Sequence, residues 1–312
     1  MKKFNIERMP KTFRKGSNIF VFCMLIVSIL WFLIFYLAVN FNSILMGFKT
    51  VIGVDDYGGA IFEYSLKNYE ILLKELATPD GLIRTSLINT LKYFCLNFFI
   101  MIPSTYFVSY FLYKKIAGYK FFRVIFYAPS IISSVAMVII YKNVIGGNGP
   151  IDVVYSLFTG KEMPAVPPFL SLDQYITPTI MLYTFWTGFG VNIVLYQGAM
   201  GRIPEEILES AKIDGVTWFK ELFVIITPLV WSTISMTLIV SMTGLFTAGG
   251  PIMLFGTPEV SYTISYYIFT QVHDSGIFYY PASMGIFFTI VSLPIVLGFR
   301  FMMNKLDPKV EY

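Results

Sequence analysis

The sequence predicts an all-α membrane protein with six transmembrane helices and both termini on the cytoplasmic side. Composition is the first reason. Of 312 residues, 56% are apolar and only 13% charged, about half the charged share of a soluble domain, and the mean hydropathy is +0.67. Too few ionised side chains remain to cover a water-soluble body of this size. The second reason is run length. Six apolar stretches, 19–39, 93–113, 124–141, 177–199, 223–247 and 282–299, can each cross a bilayer, whose ~30 Å hydrocarbon core takes about 20 residues at ~1.5 Å rise. None contains Asp, Glu, Lys, Arg or His, and none alternates apolar and polar positions as a barrel strand does.

Charge asymmetry is the third reason, and it sets orientation. Lys2, Lys3, Arg8, Lys11, Arg14 and Lys15 precede the first span against one acid, Glu7, so the positive-inside rule places this end in the cytoplasm. Six spans then put sixteen of the 23 Lys and Arg on the cytoplasmic side and six outside, with Lys92 at the mouth of the second span. The first apolar run exceeds the ~7–15 residues of a signal peptide and no A-x-A-like site follows it, so a retained span is expected. Residues 1–17 then form a basic cytoplasmic segment and 18–41 the first span.

Outside the membrane, residues 42–84 are mixed in charge, with Asp55-Asp56, Gly58-Gly59 and an amphipathic stretch at 64–76 expected to form a small helix on the outer face. Gly146-Gly147-Asn148-Gly149-Pro150 and Gly249-Gly250-Pro251 read as tight turns, with re-entrant or ligand-contacting elements as the alternative. Pro103, Pro129 and Pro294 permit kinks within spans.

The side-chain chemistry offers little to an enzyme. His273 is the single histidine, and Cys23 and Cys95 lie in apolar runs as small hydrophobes. There is no CxxC, HExxH, GxSxG or GxxxxGK[ST], so no catalytic residue, metal ligand or nucleotide site is assigned.

The cytoplasmic segment between spans four and five is long and specific. Pro204 followed by Glu205 and Glu206 starts a helix, with carboxylates at the positive end of the dipole, and Gly215 after Asp214 stops it. Ile207, Leu208 and Ala211 share one face and Glu206, Glu209 and Lys212 the other. A helix lying on lipid would suit a basic polar face. This one is mainly acidic, which favours docking on another protein.

Glu209-Ser210-Ala211, three residues, Gly215, nine residues, Ile225, one residue and Thr227-Pro228 resembles the EAA motif of binding-protein-dependent ABC transporter permeases. Ser210 replaces an alanine and Thr227 a leucine. Ile203-Pro204-Glu205, Ile213-Asp214-Gly215 and Thr247-Ala-Gly-Gly-Pro251 resemble the carbohydrate branch, the maltose-type and glycerol-phosphate-type components. The likeness covers roughly residues 80–303. It implies a type I ABC importer permease fold with a core at 85–303, a coupling loop at 200–228 and a tail at 304–312, in a bacterial-type inner membrane.

The resemblance further implies a second permease subunit, usually non-identical, a cytoplasmic ABC ATPase dimer and an extracytoplasmic solute-binding protein. ATP is used by the partner ATPase, and this chain binds neither cofactor nor nucleic acid. Glu209 is then a polar contact to the ATPase, Ala211 and Gly215 give close backbone approach, and Asp214 fixes the following loop or simply caps the helix. Ser210 and Pro228 complete the motif. Aromatic, amide and hydroxyl groups at Tyr183, Trp186, Asn192, Tyr196 and Gln197 in span four, and at Ser241, Thr243 and Phe246 in span five, suit a sugar pathway. Ordinary helix–helix contacts are the competing explanation for each. A permease for a non-sugar solute and a self-sufficient secondary carrier are the other readings. A proton-coupled carrier would want an intramembrane carboxylate or histidine.

Overall fold

A computed structural model describes residues 11–54, 60–308 and 310. Lys2, Lys3, Glu7, Arg8, the Asp55-Asp56 and Gly58-Gly59 pairs and Lys309 lie outside the described residues. The chain is mostly helical and divides into two compact units, one of residues up to 71 with 277–286, the other of 72–276 with 287–312.

In the first unit, helix α1 runs through Lys11–Trp31, a wide-turned stretch Phe32–Ala38 and Val39–Gly47. Residues 19–44 are exposed throughout. A helix apolar on every face and uncovered along this length needs lipid or another apolar surface around it. The external segment departs from the all-helical expectation. Strands β1 (Lys49–Val54) and β2 (Ala60–Tyr64) pair antiparallel, with Lys49 opposite Tyr64 and a bulge between Val51 and Gly53. Thr50, Val51, Ile52, Ile61, Phe62 and Tyr64 supply the β-branched and aromatic types that strands favour, in runs too short to register among spans of about 20 residues. Asn68 Nδ2 donates to the Lys49 carbonyl at 2.9 Å, tying the hairpin to helix α2 (Lys67–Ala77), which forms where the amphipathic stretch was expected.

The second unit holds α3 (Leu82–Tyr113), α4 (Tyr119–Ile131), α5 (Ser134–Ile145), α6 (Pro150–Thr159), α7 (Asp173–Met200), α8 (Glu205–Ile213), α9 (Trp218–Leu229), α10 (Trp231–Thr243), α11 (Ile252–Phe255) and α12 (Ile264–His273). Helix α13 is Tyr279–Lys305. Among the described residues, four helices, Ile19–Gly47 within α1, α3, α7 and α13, are long and apolar enough to cross a membrane. The expected third and fifth spans are broken helices. Helix α4 meets the helix beginning at Ser134 at 113°, and α9 meets α10 at 78°.

Proline explains the breaks unevenly. Pro129 sits in the last turn of α4, and Ile132 beyond it is extended. Pro228 ends α9, and Val230 leaves helical geometry at φ −104°, ψ 13°. Pro103 and Pro294 lie in helices that continue. Pro103 and Pro228 each follow a π-helical stretch, Leu96–Met101 and Glu221–Ile226. The wider turn relieves the clash of a proline ring with the carbonyl four residues back.

Two side chains organise the loops at one end of this unit. After a turn at 146–149, Asp152 in α6 is fully buried. Its carboxylate accepts backbone N–H bonds from Asn148 at 2.8 Å, Ala165 at 2.7 Å and Val166 at 2.8 Å. The Asn148 N–H above all, then those of Val166 and Ala165, hold this carboxyl below its ordinary range against the opposing effect of burial. A depressed carboxyl stabilises the fold above its unfolded pKa of about 3.9 and loses that contribution as pH falls through the lower folded value. Asp152→Ala is therefore expected to open the 146–166 loop to limited proteolysis at neutral pH, and native protein to open it only in acid below about pH 4. Equal protease resistance of variant and native chain at pH 7 would refute this role. Lys142 Nζ donates to the Phe255 carbonyl at 2.8 Å and the Leu254 carbonyl at 3.3 Å, holding α11 against α5.

Candidate functional site

The acidic helix α8 stands on the protein's own core. Its apolar face is turned inward: Leu208 is 8% and Ala211 5% exposed, and Leu208 packs in a cluster with Tyr106, Tyr110, Tyr196, Leu222 and Ile226. Ala211, expected to give a partner close approach, is covered by this chain instead. A small residue there lets α8 settle closely on the helices beneath it. Glu205, Glu206, Glu209, Ser210, Lys212 and Asp214 are exposed, and Ile213 is 87% exposed. The surface left for a partner is thus polar with one apolar residue. The Ser210 hydroxyl donates to its own helix, at the Glu206 carbonyl.

Gly215 ends α8 in the left-handed region at φ +68°. Its N–H donates to the Lys212 carbonyl at 3.1 Å, and that of Val216 reaches back to the Ala211 carbonyl at 3.0 Å. This pair of bonds is a Schellman closure and explains glycine by backbone geometry. A Cβ placed there meets nothing of this chain within 4 Å. Asp214 occupies the C-cap position with helical φ and ψ.

Behind α8, α9 is bound to α3 by three polar links. Lys114 Nζ and Glu221 Oε1 form an ion pair at 2.7 Å, with the carboxylate side chain only 7% exposed. Thr227 Oγ1 donates to the Leu222 carbonyl at 2.7 Å, an acceptor in the widened turn. The Tyr106 hydroxyl donates in turn to Thr227 Oγ1 at 2.8 Å. Tyr110 Oη lies 3.4 Å from the Trp218 carbonyl. Pro228 is half-buried at the end of α9, beside the 78° bend. Helix α9 is thus joined directly to α3 and leads into α10 through one break at Val230.

A cavity of about 330 Å³ lies among α3, α7 and α10, with Asn97, Asn192, Thr233, Thr237 and Ser241 as its polar lining. Asn97 Nδ2 donates to Ser241 Oγ at 3.1 Å. Asn97 also lines a second cavity of about 190 Å³, with Tyr93, Thr184 and Gly249. Gly250, in the turn after α10, lies so close that a Cβ would sit 2.8 Å from Thr184 Oγ1 and 3.0 Å from the Tyr93 ring. That Gly-Gly-Pro turn is more than a simple bend, because it brings backbone against the cavity wall.

Of the span-four and span-five candidates, Asn192 and Ser241 line the larger cavity. Tyr183 is buried edge-on against Tyr141 and Phe255. Tyr196 is fully buried edge-on to Tyr106. Gln197 Oε1 accepts from the Tyr127 hydroxyl at 3.1 Å. Trp186 lies beside Tyr141 with ring centres 6.5 Å apart, the Thr243 hydroxyl donates to the Val240 carbonyl, and Phe246 packs on Phe288. Asn97, Thr233 and Thr237 were not singled out from the sequence. The signal was available: Thr233, Thr237 and Ser241 recur every four residues and so share one helical face.

The chain matches the family described as binding-protein-dependent transport system inner membrane component over residues 84–312. YesP of Bacillus subtilis (strain 168), a probable ABC transporter permease protein, is 29% identical over 177 residues, 52% of this chain and 53% of YesP. The match thus spans about half the length of that relative. The arabinooligosaccharides transport system permease protein AraP of the same strain is 23% identical over 86% of this chain and 83% of its own. A chain from the crystal structure of a bacterial ABC transporter involved in the import of the acidic polysaccharide alginate superposes with a TM-score of 0.77 at 20% identity, covering 95% of this chain and 99% of that one. At this identity the likeness is one of fold. With the family match taking in well over half of the chain, beside several helices apolar enough to span a bilayer, the protein belongs to the inner membrane components of binding-protein-dependent transport systems.

Proposed function

We propose that this chain is the permease subunit of an ATP-driven importer for a carbohydrate, an oligosaccharide or sugar derivative. Its six spans, counting each bent pair as one, carry both termini on the cytoplasmic side, and it forms half of the translocation pathway. Force enters through the loop at 200–228, on which a separate cytoplasmic ATPase dimer docks. A second, non-identical permease completes the pathway, and an extracytoplasmic solute-binding protein delivers the substrate. The observation that carries this reading is α8: acidic on its exposed side, seated on its own core, and joined through α9 to α3. Such a helix transmits displacement instead of yielding to it. The sugar assignment draws support from the amide and hydroxyl lining of the two cavities and from what AraP is named for.

Affinity purification from the native membrane, with mass spectrometry of what accompanies the chain, tests the assignment. A second six-span permease and a P-loop ATPase in near-equal amounts are expected. Recovery of this chain alone, in a preparation that keeps other complexes intact, would favour a self-sufficient carrier.

A further inference from the structure

We infer that the Tyr196 hydroxyl bonds Thr237 in the ATP-driven state of the transporter, linking the docking loop to the cavity wall. Tyr196 is thus a positioning residue, an inference that rests on the permease reading above. Tyr196 in α7 is 0% exposed, yet its hydroxyl has no hydrogen-bond partner among the described residues. A buried donor left unpaired destabilises the state that contains it. The hydroxyl lies beside that of Thr237 in α10, close enough to interact but without a well-formed bond. Thr237 Oγ1 commits its own proton to the Thr233 carbonyl at 2.8 Å, so its oxygen is left to accept. The same threonine lines the cavity of about 330 Å³.

Both ends of this unmade bond lead back to α9. On one side, Thr227 holds the Tyr106 hydroxyl at 2.8 Å. The Tyr106 ring in turn meets the Tyr196 ring edge-on, with centres 5.3 Å apart. On the other side, α9 passes through the break at Val230 into α10, with Thr237 about two turns beyond. Helix α9 is therefore linked to Tyr196 through packed side chains and to Thr237 through the backbone. A small shift of α10 against α7 completes the bond and pairs the stranded donor. A net hydrogen bond of ordinary strength then shifts a two-state population about fivefold toward the shifted state.

The test uses the full transporter, this chain with the partners that co-purify, in proteoliposomes. ATP with orthovanadate traps the ATP-driven state. The ATP concentration for half-maximal trapping is read, together with the thermal unfolding midpoint of the resting complex. Tyr196→Phe is expected to raise that concentration about fivefold while the resting midpoint holds or rises, because a stranded hydroxyl is removed. Thr237→Val removes the acceptor and is expected to give the same shift, whereas Thr237→Ser keeps it and traps as the native chain does. The double variant Tyr196→Phe with Thr237→Val is expected to match either single one, as partners in one bond do. Native trapping by assembled Tyr196→Phe would overturn the inference, as would shifts that multiply in the double variant. A lower resting midpoint in Tyr196→Phe would make the residue structural and overturn it too. Should Tyr196→Phe fail to assemble, equal trapping by Thr237→Val and Thr237→Ser is the overturning result. Absence of any co-purifying ATPase would instead end the permease reading, and this inference with it.

Discussion

Gly215→Val is expected to lower substrate uptake by about tenfold or more while the protein still inserts and assembles. Two effects add at this position. Glycine sits at φ +68°, and a β-branched residue in the left-handed region costs roughly 1–2 kcal/mol, which loosens the Schellman closure and the path of residues 216–218. The second effect is steric. A Cβ at Gly215 meets nothing of this chain within 4 Å, so any clash must come from a partner. Gly215→Asn separates the two, since asparagine tolerates the left-handed conformation but adds bulk to the same surface. If α8 docks closely on an ATPase, the asparagine variant also transports poorly, and its ratio of ATP hydrolysed to substrate carried rises. Native uptake by Gly215→Asn would end the close-approach role and leave glycine a backbone role alone.

Lys114→Met is expected to be the most destabilising single change in the loop region. It leaves Glu221, whose side chain is 7% exposed, without its partner at 2.7 Å. Breaking a buried pair from one side costs about 3 kcal/mol or more, and here the loss falls on the joint between α3 and α9. A lower thermal unfolding midpoint and weaker coupling of hydrolysis to uptake are expected together. The exchange Lys114→Glu with Glu221→Lys restores the pair in reverse and should recover much of the midpoint. No recovery would mean that surrounding carbonyls and hydroxyls, instead of the pair itself, hold the site. A midpoint unchanged in Lys114→Met would show that the ion pair contributes nothing to the joint.

Much of the loop was legible in the residues. Pro204, the two following carboxylates and Gly215 mark the ends of α8 through capping and φ > 0 chemistry, and the helix lies at Glu205–Ile213 accordingly. What pattern could not show was which neighbour covers the apolar face. Leu208 shares a buried cluster with Tyr106, Tyr110 and Leu222 only because α3, distant in the chain, converges there with α9. The hydroxyl face of α10 was equally present in the spacing of Thr233, Thr237 and Ser241. It gained meaning when Asn97 from α3 came to lie 3.1 Å from Ser241.

The sequence by itself determined the membrane environment, the apolar runs, the two ends of α8 and its surface chemistry, because these depend on composition and on neighbours within a few residues. Tertiary structure alone decided that two of the expected spans bend sharply, that Pro129 and Pro228 mark breaks while Pro103 and Pro294 do not, and that Asn192 faces a cavity while Tyr183 and Tyr196 are core. A proline ring removes the same hydrogen bond wherever it stands. Whether the helix then breaks or widens, and whether a polar side chain meets a cavity or another helix, depends on what packs against it from distant parts of the chain.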